Sequence, residues 1–516
     1  CQAFLLRASS LPRSTIFRSD YSDRKVLSGL KEGTFCIPYS FFFNLKKQTD
    51  MKGSYPASRR HFLQQMSGTA LALAAANSSL AFADQWQNRV DSYSKKISPN
   101  DKIRIGVIGI GIQGNNDLEA ALKVPGIEMA AACDLYKGRL ERAREVYGKD
   151  LFVTQDYREL LQRKDIDAVI IATSDHWHSR ISIDALNSGK AVYCEKPMVH
   201  QISQGLGVIE AWEKSKKTMQ IGSQRVSSLA TIKAHEAFRS GAIGQLSCIE
   251  ANFDRQSALG AWEYTMPTDQ STQTVDWKRY IQGMPDQPYD PKKFFWWRNY
   301  RAFGTGVAGD LFVHLLSGIH AITDSKGPEK IYSSAQLCYW KDGRDVPDVM
   351  AGVIQYPETK EHPEFQLMLR VNFISGNNES GGTTFIGSEG VLTMEGNGYT
   401  IHHHKMSKAP GIGGWDALTT YPKAMQEELL KQYNQKYSAE DQRDHSDPDT
   451  VFRTPHGYDE HMEHFANFFA GVRNGGPVLE DPVFGFRAAA PCLAANESYF
   501  QDKIIRWDPV NMKLIS

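Results

Sequence analysis

The sequence predicts a two-domain protein: an N-terminal Rossmann-type α/β domain with a doubly wound parallel sheet, then a C-terminal α+β domain with a largely antiparallel sheet. Three observations carry this. From Lys102 to about Arg225, apolar runs of strand length alternate with helix-like segments, the signature of a parallel sheet covered on both faces. The first run leads into a glycine turn, Gly109-Ile110-Gly111-Ile112-Gln113-Gly114, followed by a helix-like segment, Asn115–Lys123. Beyond residue 225, strand-like runs follow one another across short polar loops, which favours antiparallel pairing.

The expected parallel strands are Ile103–Ile108, Ile127–Cys133, Ile166–Thr173, Ala191–Cys194 and Met219–Ile221, in a sheet of about six. Between them lie helix-like stretches such as Arg139–Tyr147, Ser179–Ser188 and Gln204–Ser215. In the second half, strands are expected at Leu246–Phe253, Ile331–Tyr339, Gly352–Tyr356, Gln366–Phe373, Gly382–Ile386 and Val391–Glu395. Two long helices, His461–Arg473 and Asp481–Asp502, follow. Residues 405–455 are polar, contain proline and lack apolar periodicity, so they read as a long, partly mobile excursion. The expected division is 102–225 for the nucleotide-binding domain and 226–516 for a substrate and oligomerisation domain.

The chain has 516 residues, enough for two large domains, with Lys+Arg equal to Asp+Glu at 59 each. That balance, without a basic stripe, argues against a nucleic-acid surface. No apolar run reaches the length of a membrane span. Ser58-Arg59-Arg60-His61-Phe62-Leu63 resembles a twin-arginine export signal. An alanine-rich apolar segment, Gly68–Ala76, and a small-x-small site, Ala81-Phe82-Ala83, follow it in the order such signals require. Met51 lies just upstream. The expectation is an over-extended leader over 1–50, a signal over 51–83, a linker over 84–101, and a mature chain from Asp84 in the periplasm. Of seven cysteines, Cys1 and Cys36 fall in the leader; Cys133, Cys194, Cys248, Cys338 and Cys492 are scattered without CxxC spacing. They read as buried thiols, not a disulfide framework or a zinc site.

Each glycine of the turn has a separate task. Gly109 permits the tight turn, Gly111 lets the backbone approach a pyrophosphate, and Gly114 lets the helix pack against the strand. The helix N-terminus then offers free N–H groups to phosphates. Asp134 ends the second apolar run, twenty residues after Gly114, where a carboxylate binds the ribose hydroxyls of NAD. A carboxylate there disfavours the 2′-phosphate of NADP, although Lys137 and Arg139 lie close by.

Tyr193-Cys194-Glu195-Lys196-Pro197 ends another expected strand, at the sheet edge where ligands of such folds bind. Pro197 keeps residue 196 extended, so Lys196 points into the crevice, where a lysine can exchange a proton. Asp310 and His314 are four apart at the start of a helix, hence on one face. By themselves they are equally a helix N-terminal Asp beside an unrelated His. The segment Phe294-Phe295-Trp296-Trp297-Arg298-Asn299-Tyr300 suits a sugar ring, with Trp297 and Arg298 as its best candidates. Trp262, Tyr264, Trp277 and Tyr280 read singly as core or interface aromatics. His402-His403-His404 lacks further ligands at matched spacing, so no metal is expected.

Taken together, the glycine turn, Asp134, Glu195-Lys196-Pro197 and Asp310-x-x-x-His314 resemble the Gfo/Idh/MocA family of NAD(P)-dependent oxidoreductases. The resemblance runs from about Lys102 to Pro509 and includes Ala172-Thr173-Ser174-Asp175-His176-Trp177-His178 and Gly222-Ser223-Gln224-Arg225. It implies that NAD is held by Gly109, Gly111, Ile112, Gln113, Gly114, Asp134, Thr173, His176, Trp177, His178, Glu195, Lys196, Gln224 and Arg225. It also implies proton transfer by Lys196 or His314, substrate orientation by Asp310, and a sugar pocket shared with Trp297 and Arg298. His320 is a weaker second histidine. Leu311-Phe312 stands where the family has a small-residue turn.

The implied activity is hydride transfer at a carbohydrate CH–OH carbon, in a chain expected to form a homo-oligomer. Export adds a condition, because the periplasm holds no useful soluble nicotinamide pool. The twin-arginine route carries folded proteins, so cofactor would travel bound and be regenerated in each cycle. Some members of the resembled family are glycosidases that oxidise, eliminate and re-reduce, and this is the alternative reading. A non-catalytic sugar-binding protein is the third, which the intact Lys196, Asp310 and His314 argue against.

Overall fold

The computed structural model of the protein describes residues 102–376 and 379–515. The leader, the twin-arginine segment, the signal cleavage site and the linker lie outside them, as do Cys1 and Cys36.

The apolar runs of the first half form a parallel sheet in the order β3-β2-β1-β4-β5-β6: β1 Ile103–Ile108, β2 Ile127–Cys133, β3 Phe152–Thr154, β4 Ala168–Ile171, β5 Ala191–Glu195 and β6 Met219–Gly222. β4 and β5 are buried along their whole length, as a central parallel strand covered on both faces must be. The helices between strands are α1 Ile112–Leu122, α2 Lys137–Tyr147, α3 Tyr157–Gln162, α4 His178–Asn187 and α5 Gly205–Ser215. Helix α1 starts three residues before the expected Asn115. Gly114 is a poor helix former but lies within its first turn, where close packing on β1 decides the conformation. Strand β3 has three residues and only one fully buried, too little for a periodicity signal.

After α6 Leu229–Arg239, the second sheet has ten strands in the order β14-β13-β12-β11-β7-β10-β9-β8-β15-β16. These are β7 Leu246–Asp254, β8 Lys330–Gln336, β9 Val349–Tyr356, β10 Phe365–Asn372, β11 Ser380–Gly387, β12 Gly390–Glu395, β13 Gly398–His403, β14 Thr450–Arg453, β15 Ile505–Asp508 and β16 Lys513–Ile515. Its pairings are antiparallel except β7 with β10, which run parallel. Burial alternates along β9 and β10, one face packed and one open. The insertion between β7 and β8 carries α7 Trp277–Tyr280, α8 Pro291–Phe295 and α9 Val313–Thr323. Residues 405–455 are largely exposed but not structureless, because they hold α10 Lys423–Lys436 and β14. No residue of α10 is buried, so no apolar face announces it.

The final helices, α11 Glu460–Asn474 and α12 Pro482–Gln501, bring the chain back. Phe465, Ala466, Phe468 and Phe469 of α11 belong to the same core as Ile105, Val107 and Tyr193, so the nucleotide-binding layer is completed from the C-terminal end of the chain. Helix α12 packs on β8, α9 and α5, tying the two sheets together. The five described cysteines are free thiols. Cys133, Cys194 and Cys492 are buried, whereas Cys248 is half-buried and Cys338 exposed, against the expectation that all five are interior. Cys338 sits two residues past the end of β8, exposed, with its N–H donating to Asp348 Oδ1 at 3.0 Å. No described helix is long and apolar enough to cross a membrane.

Candidate active site

The site grows from the C-terminal edge of the parallel sheet. Gly109 has φ +87°, and a Cβ on it would meet Ala172 O at 2.6 Å; a Cβ on Gly114 would meet Gly109 O at 2.0 Å. Both positions therefore require glycine. Gly111 caps α1 without a side-chain acceptor, so the first amides of the helix remain available to an anion. The space beside Gly111 opens toward the Arg139 guanidinium, 3.5 Å from where a Cβ would stand.

A cleft runs from this turn across the strand ends. Of the expected cofactor residues, Gly109, Gly111, Ile112, Gln113, Asp134, Thr173, Trp177, His178, Glu195 and Lys196 line it. Asp134 Oδ2 accepts from Ile110 N at 3.0 Å and Oδ1 from Tyr136 N at 2.9 Å, with Arg139 Nη1 at 3.4 Å. A carboxylate has about four lone-pair sites, so capacity for ribose hydroxyls remains. The donor-lined turn and the acceptor at Asp134 within one lining fit a dinucleotide.

Four expected residues do not line the cleft, and the first, Gly114, packs under the turn against Gly109. His176 faces away from the cleft, its Nε2 at 3.1 Å from Tyr280 O and its ring packed edge-on against Tyr280 and Phe303. The tight turn at Asp175–Trp177 swings it into that slot, and burial lowers its pKa to about 3. Gln224 lies behind the cleft, donating to Glu195 Oε1 at 2.6 Å and to Tyr193 OH at 3.0 Å. Arg225 is exposed and borders His314 instead of the nucleotide cleft. His178 does line the cleft; its Nδ1 meets Pro197 O at 2.8 Å and fixes the turn that carries Lys196.

At the far end of the cleft the two halves of the chain meet. Lys196 Nζ donates to Asp310 Oδ1 at 2.8 Å and to Asp310 O at 3.1 Å, while Arg298 Nε donates to the same Oδ1 at 3.1 Å. Arg298 stacks on Trp297, 4.2 Å from the ring centroid, and both line the cleft with Tyr264. Burial alone would raise the Asp310 carboxyl, but Lys196 and Arg298 outweigh it and hold it well below the usual carboxylate range. His314 is half-buried, 6.5 Å ring to ring from Phe253. Burial, then Lys196 and Arg225, press its pKa well below the ordinary value, so at neutral pH the ring is neutral and can accept a proton.

A π-helical turn, Ala308–Phe312, leads into α9. Leu311 and Phe312, where the small-residue turn was expected, are both core residues, and the wider turn directs them inward while Asp310 faces Lys196. His320 lies in the core with Nε2 at 2.9 Å from Tyr356 OH, and burial lowers its pKa to about 3, so it takes no part in the cleft. Trp262 packs edge-on against Phe373 in the core, and Trp277 joins a cluster with Tyr280, Phe294 and Phe303. His402 pairs with Asp449 at 2.8 Å and His403 with Thr450, bonds that fasten β13 to the β14 segment. Among the described residues no group of His, Cys, Asp and Glu is arranged to hold a metal. Phe295 of the aromatic segment also lines the cleft, as do Gln155 and Arg279, which no motif marks because they reach it from the end of β3 and from the insertion after β7.

Residues 103–223 match the Gfo/Idh/MocA model, described as an oxidoreductase family with an NAD-binding Rossmann fold. This stretch is similar to the NAD-binding domain of that family. The chain is 36% identical over 145 residues to inositol 2-dehydrogenase of Salmonella typhimurium, covering 28% of this chain and 43% of that one. It is 31% identical over 212 residues to the alpha-N-acetylgalactosaminidase of Shewanella oneidensis, covering 38% of this chain and 45% of that one. It thus spans less than half the length of the curated relatives it matches. A levoglucosan dehydrogenase in complex with NADH and levoglucosan shares the fold, with TM-score 0.56 and 16% identity over 78% of this chain and 99% of that one.

Proposed function

We propose that the protein is an NAD-dependent oxidoreductase acting on a CH–OH carbon of a carbohydrate. The observation that carries this is the junction of Lys196, Asp310 and Arg298 at the end of the nucleotide cleft, with a neutral His314 beside it. NAD, when bound, supplies the hydride acceptor. Lys196 and Arg298 orient a substrate hydroxyl against Asp310, Trp297 offers a flat face to the ring, and His314 or Lys196 takes the hydroxyl proton. The relatives' names, an inositol dehydrogenase and a glycosidase, support a carbohydrate as substrate.

The similarity to the alpha-N-acetylgalactosaminidase favours a second reading, redox-neutral cleavage of a glycoside by the same residues. Product analysis decides between them. A ketone formed with stoichiometric NADH marks a dehydrogenase; a released sugar with unchanged cofactor marks a glycosidase. Retention of NAD through purification but no turnover on a broad carbohydrate panel would sink both.

We further propose export by the twin-arginine route to the periplasm with cofactor bound, on the order Arg59-Arg60, apolar segment, Ala81-Phe82-Ala83. Arg59→Lys with Arg60→Lys should hold the protein in the cytoplasm; processed protein in the periplasm of that variant counts against the route. A homo-oligomer is part of the same proposal, supported by exposed Tyr332, Val353 and Met368 along β8, β9 and β10, and sedimentation as a monomer would remove it.

A further inference from the structure

The charges around His314 do not balance. Strands β5 and β6 are neighbours with Glu195 opposite Gly222, so Lys196 and Arg225, which follow them, emerge at the same sheet edge. The turn Gln224–Ser227 packs against α9, the helix that carries His314, and the charge of Arg225 acts on that ring. Arg255 follows β7 and stacks over Phe253, 5.2 Å from the ring that in turn faces His314. Arg298 completes the group from the insertion.

Of the nearby carboxylates, Glu379 lies on the Gly260 side of Arg255, accepts from Ser257 Oγ at 2.9 Å and forms no ion pair with Arg255 among the described residues; the others are engaged. Asp310 is shared by Lys196 and Arg298. Asp254, next to Arg255, is 2.6 Å from Arg370. Glu195 is held by Gln224 at 2.6 Å. Among the described residues Arg225 has no hydrogen-bond or ion-pair partner for its guanidinium, and Arg255 donates only to Gly260 O at 2.9 Å. Two guanidinium groups without counter-ions thus border the proton acceptor.

The pyrophosphate does not account for them. It belongs to the glycine turn after β1, and β6 lies three strands away in the order β1-β4-β5-β6, roughly 14 Å at the usual strand spacing. Oxidised NAD would add a positive nicotinamide to the same end of the cleft. A ligand that balances this charge brings a negative group of its own.

We propose that the substrate is an acidic carbohydrate, its carboxylate or sulfate held by Arg225 and Arg255 beside His314. This rests on the carbohydrate reading above and names the class within it. Planar guanidinium pairs suit either anion, by paired N–H donors.

The test uses the full NAD-loaded protein and matched probes: glucose with glucuronate, galactose with galacturonate, and N-acetylgalactosamine with its 6-sulfate, by calorimetry. At least one acidic member should bind about tenfold or more tighter than its neutral partner, the range of a charge-assisted hydrogen bond. Added salt should reduce the difference. Arg225→Gln with Arg255→Gln should bring the paired affinities to within about twofold while NAD stays bound, since neither side chain lines the nucleotide cleft. Neutral sugars binding as well as acidic ones would overturn the inference and leave the carbohydrate reading standing. So would an acid preference that survives the double substitution. Binding of no probe of either kind by protein that holds NAD would overturn the carbohydrate reading, and this inference with it.

Discussion

Asp310→Asn removes one charge and almost no volume from the point where the two halves of the chain meet. The carboxylate lies 2.8 Å from Lys196 Nζ, with side chains 7% and 9% exposed, and 3.1 Å from Arg298 Nε, with that side chain 21% exposed. Removing one partner from a buried ion pair leaves an uncompensated charge and costs about 3–5 kcal/mol. Here two cations are left, but an amide oxygen still accepts from one of them, so the lower end, about 3 kcal/mol, is expected. The pH dependence follows from the direction of the shift. The folded carboxyl is held below its unfolded value of about 3.9, so the unfolded state binds more protons and the stabilisation is present above that value. It should be constant from about pH 5 to pH 8 and be lost progressively as pH falls below about 4. Equilibrium urea denaturation of NAD-loaded parent and variant, at several pH values down to about 3.5, reads both quantities. A difference under about 1 kcal/mol at neutral pH, or one that does not shrink in acid, would refute the claim that Asp310 joins the domains as a buried anion.

Three other outcomes follow from the site. Lys196→Ala and His314→Ala should each cut turnover by about 10²–10⁴ with NAD retained; parent rates in both, or loss of NAD along with activity, would remove the proton-transfer assignment. Asp134→Ala should weaken NAD binding by about 1.5–3 kcal/mol by calorimetry, because the carboxylate organises Ile110 N and Tyr136 N as well as facing the ribose. Gly114→Ala should destabilise the fold by about 1–3 kcal/mol, since its Cβ would stand 2.0 Å from Gly109 O, whereas Gly111→Ala meets only the tip of Arg139 and should impair NAD binding with little loss of stability.

The parts of this molecule that read directly from sequence are those where one local pattern has one physical solution. The glycine turn is such a case, because only a residue without Cβ fits Gly109 and Gly114. Strands β1 and β2 match their expected bounds because their interiors are buried on both faces. The meeting of Lys196 with Asp310 was implied by the family resemblance and not by local pattern, since Lys196 follows β5 while Asp310 stands in the π-helical turn before α9. Where local pattern is weak, sequence is silent. Helix α10 buries nothing, β3 buries one residue fully, and α11 looks like an ordinary C-terminal helix until its Phe465 and Phe469 are found under the first sheet.

His176 and Arg225 show the remaining limit. Both stand in motifs that follow parallel strands, yet neither side chain lines the cleft. His176 is one residue into a tight turn, and a rotation there exchanges the cleft for a slot of carbonyls at Tyr280 and Phe303. Arg225 lies three residues past β6, the strand farthest from the pyrophosphate turn, and its charge acts on His314, on a helix far along the sequence. Its environment is set by α9 packing on the Gln224–Ser227 turn, a contact between segments with no shared motif. Motifs locate the cofactor because its phosphates bind backbone; the substrate end is assembled from side chains of four separate segments, ending in Lys196, Arg255, Arg298 and His314, and only tertiary packing decides which of them face one another.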